Sequence, residues 1–467
     1  MNEDLLKLYH LAPAYIQTLE INLFELQEWK LRRSKKFHES LTFLKKTEKW
    51  NYKEYLEYQN KHLKNIVEYA YKNTPFYHNL YKKNNIDISK IKTIADLEKL
   101  PIIKKEDVVN HWPLFLSQQK EKYTTRSTAG TTGKPLTIRL SKNLNILDKA
   151  NAFRRDLWAG YDGGWTARFV GDAPTKDCAS QKFYRKSFVM KRVFFPTYCL
   201  SLETLPIIIE NLKGLKIKYL QCYPSAGYLL AKFLEMTDTF FPAKAVLFSS
   251  EPMYEFQRTL IEERFETKAF GFYAQSEEVA SALECEKGHY HVTMVDGITE
   301  ILKNNEQVKS KEKGFTVGTS LHNYVMPLIR YAINDYTGYL HDQCDCERTL
   351  PIIYPIETRA GDFIITTSGK FFAPLMLAFP IREIKNIIET QFVQKTIDSI
   401  VIQIVKADNY TQSDEITLLG LLKKLLGEEM SIRIDYVNKI YETSAHKKRF
   451  IINEMGKDYL DKAFAVL

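Results

Sequence analysis

Apolar positions along the chain follow two periods. Up to about residue 60 they recur at helical spacing (Leu5, Leu8, Ile16, Leu19, Leu23, Leu26), interrupted by Pro13, which predicts a helical N-terminal segment. From His62 the pattern predicts a helix stopping near Thr74-Pro75 and a second short helix after it. Further on, residues 218–223 form an apolar strand that breaks at Pro224-Ser225 and passes into a helix through Leu229, Leu230, Phe233 and Leu234. The unit then repeats: a short strand Ala245 to Phe248, candidate caps Ser249 and Ser250 with Pro252 in a first turn, a charged helix over 253–266, and a strand Ala269 to Tyr273. Successive strand-to-helix units predict an α/β fold with mostly parallel sheets. Ligands collect at the carboxyl ends of such strands, so Ser249 to Pro252 and Tyr273 to Glu277 are expected to line one crevice.

Composition narrows the class. The 467 residues are 45% hydrophobic and 26% charged, ordinary for a folded protein of several domains. A net charge of +9, from 66 basic and 57 acidic residues, is too mild for a nucleic-acid binder. Glu3 and Asp4 precede any apolar run and no apolar stretch is long enough to span a bilayer, so the expected compartment is the cytoplasm. The six cysteines are then expected to be reduced. Arg32, Arg33, Lys35 and Lys36 offer peripheral contact with an acidic membrane; the alternative is a solvated face.

The stretch Ser127 to Pro135 reads Ser-Thr-Ala-Gly-Thr-Thr-Gly-Lys-Pro. Gly130 and Gly133 free the backbone to approach a ligand, the hydroxyls of Ser127, Thr131 and Thr132 suit phosphate oxygens, and Lys134 adds a mobile charge. This is a polyphosphate cradle, the alternative being a polar surface turn. It is not a Walker A loop, because Thr128 stands where the first glycine is required and Pro135 follows the lysine. In the crevice, Tyr273 offers a stacking face for a base and Glu277 a hard oxygen ligand for Mg²⁺, with Gln275 and Ser276 between them. The alternative for Glu277 is the cap of a following helix.

"STAGTTGKP", "SSEPMYEFQRTLIEERF", "FYAQSE" and "PLIRYAINDYTGYL" stand in the order and approximate spacing of the adenylate-forming (acyl-adenylate synthetase) superfamily. The chain most resembles its phenylacetate–coenzyme A ligase-like group, including the capsular-polysaccharide CapK branch, over some four-fifths of its length. The resemblance implies a large α/β adenylation domain and a small mobile α+β C-terminal domain, here divided as a helical segment 1–60, an ATP- and carboxylate-binding domain 61–360 and a lid 361–467. It also implies a two-step reaction beginning with ATP and a carboxylic acid.

Residue by residue, the resemblance places Thr131, Thr132 and Lys134 on the β- and γ-phosphates, within an ATP-binding set that also holds Ser127, Thr128, Gly130 and Gly133. Ser250, Glu251, Pro252 and Tyr273 frame adenine, Gln275 and Ser276 line the same site, and Glu277 ligates Mg²⁺. Asp335 accepts the ribose hydroxyls and Arg359 lies near the ribose and the hinge. The ending "YETSAHKKRF" resembles the family's Gly-Lys-x-Arg and puts Lys447 at the catalytic lysine, the alternative being a basic surface segment. Thr358, Gly361 and His446 depart from the family pattern.

Cys285, His291, Cys344 and Cys346 make a closed set of three thiolates and one imidazole, of the kind that holds structural Zn²⁺, with His289 an alternative ligand. Scattered reduced cysteines are the other reading, and related sequences of the group carry a similar set. The expected activity is ATP-dependent carboxylate activation through an acyl-adenylate, with AMP formed and coenzyme A the default acceptor. An amine or hydroxyl of a sugar is the runner-up acceptor, and a non-catalytic scaffold the third reading. Neither the acid nor the oligomeric state is readable from the sequence.

Overall fold

The computed structural model describes residue 9 and residues 12–127, 136–170, 183–200, 203–340, 344–356, 358–359, 364–367, 371–372, 374–384, 386–440 and 448–455. Thr128, Gly130, Thr131, Thr132, Gly133, Lys134 and Lys447 lie outside these residues, and of Arg359 only the backbone is described.

The N-terminal part is helical, as the spacing predicts: Ala14–Arg32, Lys35–Thr47, Tyr52–Asn73 and Pro75–Lys83. Residues 60 and 61 fall inside one helix. Asn51 and Glu54 form a capping box at its start, and Thr74 ends it just before Pro75. The first helix reverses the usual amphipathic arrangement. Its inward face is polar, with Gln17 on Arg185, and Glu25 on Arg192. Leu19 and Leu23 are 59% and 57% exposed. Arg32 is engaged by Glu28 and lies over Phe153, and Arg33 stacks on Trp29, so neither is a free cation for a membrane.

Strands β1 (Tyr123–Ser127) and β2 (Thr137–Ser141) form an antiparallel hairpin. One large sheet follows, built from β3 (Thr166–Val170), β4 (Arg185–Ser187), β5 (Arg192–Pro196), β6 (Tyr219–Cys222), β7 (Ala245–Ser249), β8 (Ala269–Ala274), β9 (Ser281–Glu284) and β10 (Tyr290–Val292), and continued by β11 (Gly297–Lys303), β12 (Glu306–Gln307), β13 (Lys313–Ser320), β14 (Tyr331–Leu340), β15 (Ile352–Ile353) and β16 (Thr358–Arg359). Parallel pairing is confined to the run β5-β3-β6-β7-β8; the strands on either side pair antiparallel. The expected α/β class holds, but the expectation of mostly parallel sheets is corrected: among the described strands antiparallel pairs predominate, and the parallel ones are concentrated where the strand-helix units repeat. There the strands are covered on both faces and so read as unbroken apolar runs, as in Ala245, Val246, Leu247 and Phe248.

The C-terminal unit carries β17 (Ile364–Ile365) and β18 (Phe371–Phe372), and a sheet ordered β21 (Ser431–Tyr436), β20 (Ser399–Lys406), β19 (Ile387–Thr396), β22 (Ile451–Asn453). Its core joins Phe392, Ile402 and Ile404 to Leu418 and Leu422 of the helix Gln412–Leu426. It docks on the larger unit through Ile388, Val405 and Ile440 against Leu229, and through Phe450 beside Tyr254 and Phe256.

Candidate active site

β7 and β8 lie side by side and parallel, with Ser249 opposite Phe272, so the residues that follow each strand emerge at one end of the sheet. Both exits use left-handed backbone at non-glycine residues: Ser250 has φ 75° and Glu278 φ 52°. Such conformations cost about 1–3 kcal/mol and are kept where the surroundings impose them, typically at ligand sites. After Glu277 the chain turns directly into β9, with Tyr273 paired to Ala282. No helix follows for Glu277 to cap, which removes that alternative.

Two tyrosine-carboxylate bonds tie this exit to β14. Tyr273 donates to Asp335 at 2.9 Å, and Tyr331 donates to Glu277 at 3.0 Å. Burial and the Asp335 charge push the Tyr273 phenol well above its ordinary range, so it remains a donor. Asp335 is 3% exposed, and its backbone accepts from Thr316 and pairs with Arg359 in β16. The two carboxylates assigned to ribose and magnesium are thus brought together with Tyr273, and Arg359 reaches Asp335 through its backbone.

Ser127 ends β1 and Thr137 faces it across the hairpin, so the stretch expected to cradle phosphates leaves from the end of β1. The residue before it, Arg126, was not singled out by sequence reasoning. Its guanidinium bonds Glu278, Asp148 at 2.7 Å and Asn145 at 2.9 Å, fixing the end of β1 to the turn that carries Glu277 and to the helix Lys142–Trp158. Burial raises the Glu278 carboxyl against the pull of Arg126, so this pair depends on its geometry. The only sequence signal was a lone arginine against the cradle. Glu251, expected at adenine, also bonds the backbone amides of Ser225 (3.1 Å) and Lys448 (3.2 Å).

Away from this crevice, Cys285, His291, Cys344 and Cys346 converge, their ligand atoms all within 4.8 Å of one another. Cys285 stands just past the end of β9 and His291 in β10, and the segment between β14 and β15 supplies the other two. The Cys285 and Cys344 sulfurs are 3.7 Å apart, against about 3.8 Å for the edge of a tetrahedron with Zn–S near 2.3 Å. His291 turns Nδ1 to the Leu350 carbonyl, leaving Nε2 3.2 Å from the Cys346 sulfur, the orientation a zinc-ligating imidazole takes. Burial holds His291 down at about 4, hence neutral with a free lone pair, and pushes the Cys285 thiol up to about 12, where only a cation would favour the thiolate. His289 bonds the Cys344 sulfur at 3.1 Å, from outside the four. The expectation of six reduced cysteines is corrected at Cys199, which is disulfide-bonded, while Cys222, Cys285, Cys344 and Cys346 are free.

A sheet-rich unit with a smaller C-terminal unit docked beside it is the fold of the adenylate-forming ligases. The chain matches 2-hydroxyisobutyryl-CoA ligase in its postadenylation state, in complex with R3-HIB-AMP, with a TM-score of 0.67 at 16% identity, covering 87% of this chain and 91% of that one. Against an open conformation of that ligase, in complex with 2-HIB-AMP and CoA, the TM-score is 0.53, at 18% identity, covering 84% and 90%. In sequence the chain is similar to Protein CapK of Staphylococcus aureus, 25% identical over 96% of this chain and 99% of that protein. It is 24% identical to the phenylacetate-coenzyme A ligase of Thermus thermophilus over 66% of this chain and 71% of that enzyme. Residues 364–454 match the CapK C-terminal domain.

Proposed function

We propose that this chain is an ATP-dependent, AMP-forming ligase that activates a carboxylic acid as its acyl-adenylate. The observation that carries the reading is the paired bonding of Asp335 and Glu277 by Tyr273 and Tyr331 at the carboxyl ends of the parallel strands, with Arg126 securing the end of β1 to the same turn. In this reading Asp335 accepts the ribose hydroxyls and Ser250 to Pro252 and Tyr273 frame adenine, with Gln275, Ser276 and the backbone-placed Arg359 around the nucleotide. Ser127, Thr128, Gly130, Thr131, Thr132, Gly133 and Lys134 cradle the triphosphate. The acid's oxygen attacks the α-phosphorus, the bond to pyrophosphate breaks, and the charges of Lys134 and Lys447 stabilise the transition state. Glu277 would hold a magnesium ion, which supplies positive charge at the phosphates. Cys285, His291, Cys344 and Cys346 would hold a structural zinc ion that ties the β9–β10 hairpin to the β14–β15 segment.

Coenzyme A is the acceptor in the first reading, as in the name of the Thermus thermophilus relative. An amine or hydroxyl acceptor in surface-polysaccharide synthesis is the second, favoured by the similarity to CapK across nearly the whole chain and by the CapK type of the C-terminal unit. Among the described residues no helix is long and apolar enough to cross a membrane, which accords with a cytoplasmic enzyme. The test is carboxylate-dependent release of pyrophosphate over a panel of acids, repeated with coenzyme A, amines and amino sugars. Release with one acid class and acceleration by one acceptor class are expected; no release with any acid would leave the scaffold reading standing.

A further inference from the structure

Glu251 bridges the two structural units. Its Oε2 accepts from the backbone N–H of Ser225 at 3.1 Å, in the first turn of the helix Pro224–Met236. Its Oε1 accepts from the backbone N–H of Lys448 at 3.2 Å, in the C-terminal unit. The first contact lies at the positive end of a 13-residue helix, where a carboxylate is favoured. On the other side the Lys448 ammonium is held by Glu389 of β19 at 2.6 Å, both side chains under 15% exposed. Two carboxylates, one from each unit, therefore fix one residue, by backbone and by side chain. Phe450 closes the same seam against Tyr254 and Phe256.

We propose that Glu251 is a positioning residue for acyl-adenylate formation: it seats the C-terminal unit, through Lys448, against the chain that leaves β7. The inference rests on the proposed ligase reading and goes beyond the adenine-framing role given to Glu251 there. Two N–H donors on opposite sides need two acceptor oxygens. Glutamine has the same shape but offers one oxygen and one NH2 group, so Glu251→Gln sets donor against donor at one of the two contacts. In the ligase reading the C-terminal unit turns away for the second half-reaction, which would break the Lys448 bond, so the bridge would serve one step only.

The experiment compares Glu251→Gln with wild type in two ways. Hydrogen-deuterium exchange of the full chain follows the 448–454 amides and needs no substrate. Single-turnover assays follow adenylation and transfer from a supplied acyl-adenylate, using the acid found by the pyrophosphate screen. The proposal expects exchange at 448–454 at least several-fold faster and adenylation at least tenfold slower at saturating ATP, with transfer at saturating acyl-adenylate slowed far less than adenylation. Unchanged exchange overturns it, as does faster exchange with normal adenylation. A raised KM for ATP alone also overturns it, because that is the mark of an adenine contact. If wild type releases no pyrophosphate with any acid, the ligase reading fails separately, while the exchange experiment still decides whether the bridge seats the unit. Should the glutamine variant fold poorly, Glu251→Asp, which keeps the charge but is one methylene short, is put to the same tests.

Discussion

Tyr273 and Asp335 are joined by a 2.9 Å hydrogen bond running from the end of β8 to β14, and Tyr331 returns the link from β14 to Glu277 at 3.0 Å. β8 thus lends a phenol to a carboxylate of β14, and β14 lends one to the turn that follows β8. Tyr273→Phe keeps the ring and removes one hydrogen bond to the Asp335 carboxylate. A hydrogen bond to a charged group contributes about 1.5 kcal/mol or more, so the KM for ATP is expected to rise about tenfold with kcat little changed. Steady-state kinetics of pyrophosphate release check this, and an unaltered KM would separate Asp335 from the ribose.

Arg126 makes a parallel case at the end of β1. Three acceptors on Glu278, Asp148 and Asn145 surround its planar fork, a geometry a lysine ammonium does not reproduce. Arg126→Lys is therefore expected to slow adenylation despite conserving charge. Arg126→Ala leaves Glu278 buried without its partner and is expected to cost about 2 kcal/mol, below the usual range for a buried pair because the arginine is 28% exposed. Urea unfolding and single-turnover adenylation measure the two effects.

These two links mark the boundary of what the sequence conveys. The strand-helix repeats from Tyr219 to Ala274 were legible because parallel strands covered on both faces are continuous apolar runs, and the crevice follows from their common direction. Arg126 and Glu278 are 152 residues apart, and their meeting depends on how the antiparallel strands fold back, which no local pattern encodes. The first helix shows the converse. Its period was plain, but the direction of its face was not, because Arg185 and Arg192 offered Gln17 and Glu25 better partners than solvent did. The cysteine set was readable by residue type and order, since two chain segments each supply two ligands.

The 3.7 Å sulfur contact and the His291 orientation support the proposed zinc site. Purified protein is expected to carry about one zinc ion per chain by elemental analysis. Cys344→Ser together with Cys346→Ser should remove the metal and lower the thermal midpoint, with little change in turnover per folded molecule. A metal-free preparation of full stability would contradict the assignment.

A pH effect is expected from His62, held down at about 4 by burial, with the His322 ring and Lys61 adding to the effect and the Tyr58 ring tilted against it at 4.2 Å. Its Nδ1 is buried without a partner. The unfolded chain binds this proton below about pH 6.5 and the folded chain only near pH 4, so folding stability falls as pH drops through that window. His62→Phe preserves the ring packing and removes the titration. The variant should lose roughly 1–2 kcal/mol less than wild type between pH 7 and pH 5, measured by urea unfolding at each pH. Asp296, raised by burial to about 6, acts in the opposite direction and is present in both proteins, so the difference between them isolates His62.

The last prediction separates the basic residues of the C-terminal segment. Lys448 is no surface residue, since its ammonium pairs with Glu389 at 2.6 Å with both side chains under 15% exposed. Lys448→Ala strands Glu389 and is expected to cost about 1–3 kcal/mol of folding stability, loosening the C-terminal unit as a whole. Lys447 carries the proposed catalytic charge, and that charge acts while the α-phosphorus is attacked. Lys447→Ala should therefore leave stability unchanged and slow adenylation by about 100- to 1000-fold, the usual effect of deleting one preorganised electrostatic contact. Transfer from a supplied acyl-adenylate should continue at the wild-type rate. Arg449 serves as the control: its carbonyl accepts from Gln391 at 2.8 Å, a bond that Arg449→Ala retains. Single-turnover kinetics of both half-reactions, read beside urea unfolding, place each variant. If Lys447→Ala adenylates normally while Lys448→Ala does not at matched folded fraction, the catalytic charge belongs to Lys448 and its pairing with Glu389 must break in the active arrangement.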